Sequence, residues 1–76
     1  MKIKIYRPAY EIWDNANWVG WTTEDQLSYY KEEWPSWVPI KSIDNWYVVE
    51  DLDGNKLGIA HSIFSEVDTD EQPLIR

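Results

Sequence analysis

His61 is the one histidine in this sequence, and Ser62 and Ser65 follow it closely. A histidine beside serines invites a nucleophile-and-base reading. That chemistry also needs an orienting acid and an oxyanion hole, and nothing in the surrounding residues marks either. With no cysteine and no second histidine, His61 has no soft or imidazole partner with which to hold a metal. It reads as a structural or surface residue. Asp51, Asp53 and Asn55 around Gly54 place oxygen donors near one another, as a calcium loop does. The run is too short and lacks the terminal bidentate Glu, so an Asp-Gly hairpin turn is the simpler reading. The carboxylate pairs Glu24-Asp25, Glu32-Glu33 and Glu50-Asp51 are adjacent residues, which point in different directions on a helix or strand. They suit solvated faces better than an acid–base pair. Only Gly20, Gly54 and Gly58 are glycines, so there is no phosphate-cradling loop. The residues predict no catalysis, no metal and no cofactor.

What exceeds the ordinary is aromatic. Six Trp, five Tyr and one Phe stand among 76 residues. A chain this short cannot enclose six indoles among so few other residues, so some are expected at the surface. Trp18, Trp21 and Trp34 are expected in the core. Trp13, Trp37 and Trp46 are the candidates for a partly exposed patch, the composition of a protein-binding hot spot.

The elements that must position these rings follow from the pattern. Lys2 to Tyr6 alternates as a half-buried strand, which Pro8 ends or edges. Tyr10 to Trp21 reads as a loop or loose hairpin with a turn at Asp14-Asn15-Ala16-Asn17. Thr22-Thr23-Glu24-Asp25 is a helix start, with a Thr hydroxyl as cap and two acids at the positive end of the dipole. A short helix is predicted from about Glu24 to Glu33, stopped by Pro35, with Leu27, Tyr30 and Trp34 as its buried stripe. Pro35 to Pro39 reads as an extended connector, with Ile40 and Ile43 leading into the next strand. Trp46 to Glu50 and Lys56 to Ala60 form a β-hairpin around Asp53-Gly54. There Trp46, Val48 and Glu50 share one face, and Glu50 marks it as the wetter one. The chain from about 69 onward is polar and expected to fray.

The size predicts one domain, residues 1–76. The formal charge of −7 disfavours contact with nucleic-acid phosphates or anionic membranes and suits a basic protein partner. No run is long and apolar enough for a signal peptide or a membrane span, and cysteine is absent, so a reducing, cytoplasmic setting is expected.

Ile43 to Phe64 resembles the C-terminal half of an SH3 domain. Trp46 stands where that family has the Trp opening a strand, Val49 where it has a buried small residue, and Gly58-Ile59-Ala60-His61-Ser62-Ile63-Phe64 at its closing segment. The N-terminal half departs from the family, lacking its Ala-Leu-Tyr-Asp-Tyr motif and carrying an inserted helix. The resemblance implies a small SH3-like barrel, mainly β with one short helix around 24–33. It also implies a ligand groove near Trp46, His61 and Phe64. His61 replaces the family's Pro, and Phe64 lacks a hydroxyl, which speaks against proline-peptide recognition.

The combined expectation is a non-enzymatic protein–protein interaction module, of the kind an acidic inhibitor or phage accessory protein provides. Its partner-binding residues would be Trp46, Phe64, His61, Trp13, Trp37 and Glu50. Two alternatives come from other classes: a nucleic-acid mimic whose carboxylates imitate phosphates, and a carbohydrate-binding module using flat rings. Lys31, Lys41 and Lys56 interrupt the acidic rows that the first would need.

Overall fold

The structure is a computed structural model that describes residues 3–41, 45–69 and 73–75. Its strands are β1 (Ile5–Asp14), β2 (Asn17–Thr23), β3 (Trp37–Lys41), β4 (Tyr47–Glu50) and β5 (Lys56–Ala60). A 3₁₀ turn (Glu24–Gln26) leads into the helix α1 (Leu27–Glu33) between β2 and β3. The five strands make one antiparallel sheet in the order β2-β1-β4-β5, with β3 also on β1. The sheet curls into a half-barrel, a small mainly-β fold with one short helix, as expected.

β1 organises the rest. Its Ile5–Pro8 stretch pairs with β4, its Tyr10–Asp14 stretch with β3, and its opposite edge with β2 from Ala9 onward. β3 and β4 therefore follow one another along a single edge of β1. The expected strand over 2–6 is thus longer than its alternation suggests. Pro8 does not end it, because β2 begins only at Ala9 and leaves an open edge for the missing N–H. The turn expected between Trp13 and Trp18 is present as a tight hairpin, with Asn15 at φ 48° and Ala16 at φ 67°.

The helix falls where predicted, but Thr23 does not cap it: its hydroxyl donates instead to the Asp25 carboxylate. The expected connector over 35–39 becomes the edge strand β3 from Trp37, an edge being where a strand tolerates Pro39. Ile43 lies outside the described residues.

The β4–β5 hairpin is built around Asp51. One of its carboxylate oxygens accepts the Asp53 and Asn55 amides at 2.9 and 3.0 Å, the other the Asn55 side-chain amide at 3.0 Å. Gly54, at φ 81°, donates its N–H to the Asp51 carbonyl. Here glycine is needed for the left-handed backbone. Both Asp51 carboxylate oxygens are thereby engaged in holding the hairpin turn expected at Asp53-Gly54.

The core lies inside the curl, formed by Ala9, Trp21, Val48 and Ile59 with Trp18, Trp46 and Leu74 packed against them. By register, Ile12 and Thr22 point to the opposite face, where α1 lies and lays Tyr30 against Trp37. Val48 and Val49 are both fully buried, so neither face of β4 is wet. Glu50, expected at the solvent face, is buried and accepts a hydrogen bond from Arg7 Nε at 3.1 Å across the β1–β4 pair. Pairing on both edges of β4 encloses it, which alternation along one strand cannot reveal.

The expectation of a frayed tail is not met at Pro73, Leu74 and Ile75. Trp21 exchanges backbone hydrogen bonds with the Pro73 carbonyl and the Ile75 amide along the outer edge of β2. Asp68 does the same with Ile59 on β5, and Lys56 Nζ reaches the Ile75 carbonyl. The C-terminal chain so touches both edges of the half-barrel. Its close approach requires two glycines: a Cβ on Gly58 would lie 2.3 Å from Val67 Cγ1, and one on Gly20 2.9 Å from the Pro73 carbonyl oxygen.

Candidate interaction surface

The helix and β3 gather four aromatic rings. Trp34, just past the end of α1, stacks nearly parallel on Trp37 at a centroid distance of 4.6 Å and 11° between planes. Tyr30 lies beneath, 6.2 Å from Trp34 and 5.8 Å from Trp37. Tyr29 meets Trp34 at 6.5 Å with the ring planes 76° apart. A short helix ended by Pro35 brings this about, since the chain turns at once and the Trp37 amide bonds the Trp34 carbonyl. Burial pushes the Tyr30 phenol above its ordinary value, partly offset by the Thr22 hydroxyl beside it.

Trp34, expected as the buried end of the helix stripe, is 43% exposed. Of the expected stripe only Tyr30 is buried; Leu27 is half-buried, and Trp34 lies beyond the last helical turn and rests on Trp37. On β3 the exposure continues with Val38 at 55% and Ile40 at 47%. Val38 sits opposite Trp13 on β1, so those two side chains share the sheet face away from Trp37. The Trp13 indole nitrogen is buried without a hydrogen-bond partner. Among the described residues no strand pairs with the outer edge of β3. β3 is thus an apolar blade, with Trp37 and Trp34 on one side and Val38, Ile40 and Trp13 on the other. Glu32, Glu33, Lys31 and Lys41 are exposed around it.

The second group of expected residues lies elsewhere. Trp46 is half-buried against the core, 5.6 Å from Trp21, and His61 meets its ring at 5.1 Å and 82°. Phe64 is 91% exposed on a turn held by the Ser62 and Ser65 hydroxyls, 2.9 Å apart, and touches almost nothing. Trp46 and His61 come together, then, while Phe64 does not join them. Glu50 faces Arg7.

Comparison with family models, with curated proteins and with solved structures gives no match to this chain. Tyr29, Val38 and Ile40 were not among the residues expected there. Alternation of Trp37 and Pro39 with Val38 and Ile40 carries a trace of this, since a strand apolar on both sides must be buried or docked. No helix among the described residues is long and apolar enough to cross a membrane, and no cluster among them could hold a metal ion.

Proposed function

We propose that the protein is a non-enzymatic interaction module that docks a basic protein through the β3 blade. The observation that carries this is that exposed apolar side chains flank both faces of β3, Tyr29 and Trp34 with Trp37 on one side and Val38 and Ile40 on the other, and that among the described residues no strand pairs with its outer edge. Exposed apolar surface rimmed by charge is the mark of an interaction site, and rigid indoles lose little entropy when they are covered. Pro39 guards the edge against indiscriminate strand addition, so docking uses side chains more than backbone. The formal charge of −7 favours a cationic partner and speeds its approach. A non-enzymatic role accords with Ser62 and Ser65 bonding one another and with His61 packing edge-on to Trp46.

The half-barrel accords with an SH3-like barrel. The groove that resemblance implies is supported less well, because Trp46 is tied to the core and Phe64 stands apart from it. An acidic module of this kind suits an inhibitor covering a basic surface of another protein.

The test is site-specific photo-crosslinking in native lysate, with the crosslinker at position 38 and, as control, at the exposed Leu52 on the β4–β5 turn. A basic protein captured from 38 but not 52, lost with Ile40→Asp and weakened by salt, supports the proposal. Equal capture from both positions, or capture indifferent to Ile40→Asp, refutes it.

A further inference from the structure

Tyr29 and Trp34 are the most exposed rings of the blade and their planes stand 76° apart, two walls of a corner. Trp37 covers one face of Trp34, which fixes that indole in place. Tyr29 and Glu33 are four residues apart on α1, so the Glu33 carboxylate lies on the same helix face as Tyr29, one turn on. Lys31 is two positions from each and belongs to a different face. An exposed aromatic ring held edge-on to another, with an exposed carboxylate within one helical turn, offers a cation both a ring face and a counter-charge.

From this juxtaposition we infer that the Tyr29–Trp34 corner, with Glu33, receives an arginine side chain of the partner. The inference rests on the docking reading above and names what the partner presents. Arginine suits the corner better than lysine. Its planar guanidinium lies flat against a ring while its edge pairs with a carboxylate, whereas an ammonium is a compact, strongly hydrated point charge. The negative charge of the whole chain draws in the same ligand.

The test uses isotope-labelled protein and the six indole N–H signals, with Trp34 assigned by its loss in Trp34→Leu. That variant keeps apolar bulk on Trp37, whose own signal moves as it loses its stacking partner, and unchanged signals from the other four indoles show that it folds. The probe is acetyl-Gly-Arg-Gly-amide at low salt, compared with the same peptide carrying neutral, planar citrulline. Saturable shifts centred on Trp34, Tyr29 and Glu33 are expected. Citrulline should bind about two- to fivefold more weakly, as an exposed cation–π contact implies. Glu33→Gln should weaken arginine binding and flatten its salt dependence, and Trp34→Leu should abolish the local shifts. Equal response to arginine and citrulline, or shifts centred on the acidic stretch 66–71, overturns the inference. If a partner crosslinks at position 38 and is held equally well by Trp34→Leu, the corner is refuted and the docking surface stands. Arginine-specific shifts without any such crosslink support the corner and refute the docking reading.

Discussion

Each tryptophan's role follows from what its ring touches. Trp34 leans on Trp37 at the surface, so Trp34→Ala should cost only about 1–2 kcal/mol, the worth of a stacked, half-covered pair. Tyr30, fully buried between α1 and β3, should cost about 3–5 kcal/mol on truncation to Ala. Denaturant midpoints of the two variants, measured side by side, check the order; equal losses would return Trp34 to the core. For Trp46 the contact with Trp21 and the neighbouring core predicts a loss of about 3 kcal/mol in Trp46→Ala. That gives this ring, expected as a partner-binding residue, a part in stability, and thermal unfolding of the variant tests it.

At the level of elements, backbone conformation at turns and close approach between strands are the sensitive points. Ala16 holds φ 67°, a conformation that costs a residue with a Cβ roughly 1 kcal/mol, so Ala16→Gly should stabilise the β1–β2 hairpin by about 0.5–1 kcal/mol. A lowered melting temperature in that variant would mean that the turn differs from the one described. Gly58→Ala should act in the other direction. Its new methyl meets Val67, the Asp68 carbonyl and Thr69, and forcing the C-terminal chain off β5 should cost about 1–3 kcal/mol. Hydrogen exchange would show the loss at the Ile59 and Asp68 amides, which bond to each other's carbonyls. Unaltered protection there would contradict the close approach.

For the molecule as a whole, charge sets the response to conditions. The hydrogen bond from Thr23 holds the Asp25 carboxyl below its ordinary value, against a smaller opposing effect of burial. A carboxyl that binds its proton less tightly when folded contributes stability above its unfolded pKa, and that stability is lost as pH falls through the lowered folded value. Wild type should therefore exceed Asp25→Asn in melting temperature near neutrality, and the gap should close in acid. A gap constant with pH would show that the carboxylate's charge contributes nothing. The excess of acids elsewhere also repels itself, so moderate salt should raise stability while weakening capture of a basic partner.

Local patterns were enough for the elements whose causes are local. The Asp-Gly hairpin, the turn between Trp13 and Trp18, the helix before Pro35 and the small mainly-β class all follow from turn chemistry, helix-stop residues and side-chain alternation. The aromatic excess likewise announced that some rings would lie at the surface. Which ones did so depended on pairings between residues far apart in the chain. Glu50 is buried because β1 brings Arg7 to it and β5 covers the other edge. Trp46 is tied down by Trp21, and Pro73–Ile75 are held because two glycines let the chain lie against both edge strands. Trp34 is left at the surface because the helix ends one residue before it, and β3 then presents Val38 and Ile40 beside it. Burial is a property of neighbours in space, and in a curled sheet those neighbours come from opposite ends of the chain.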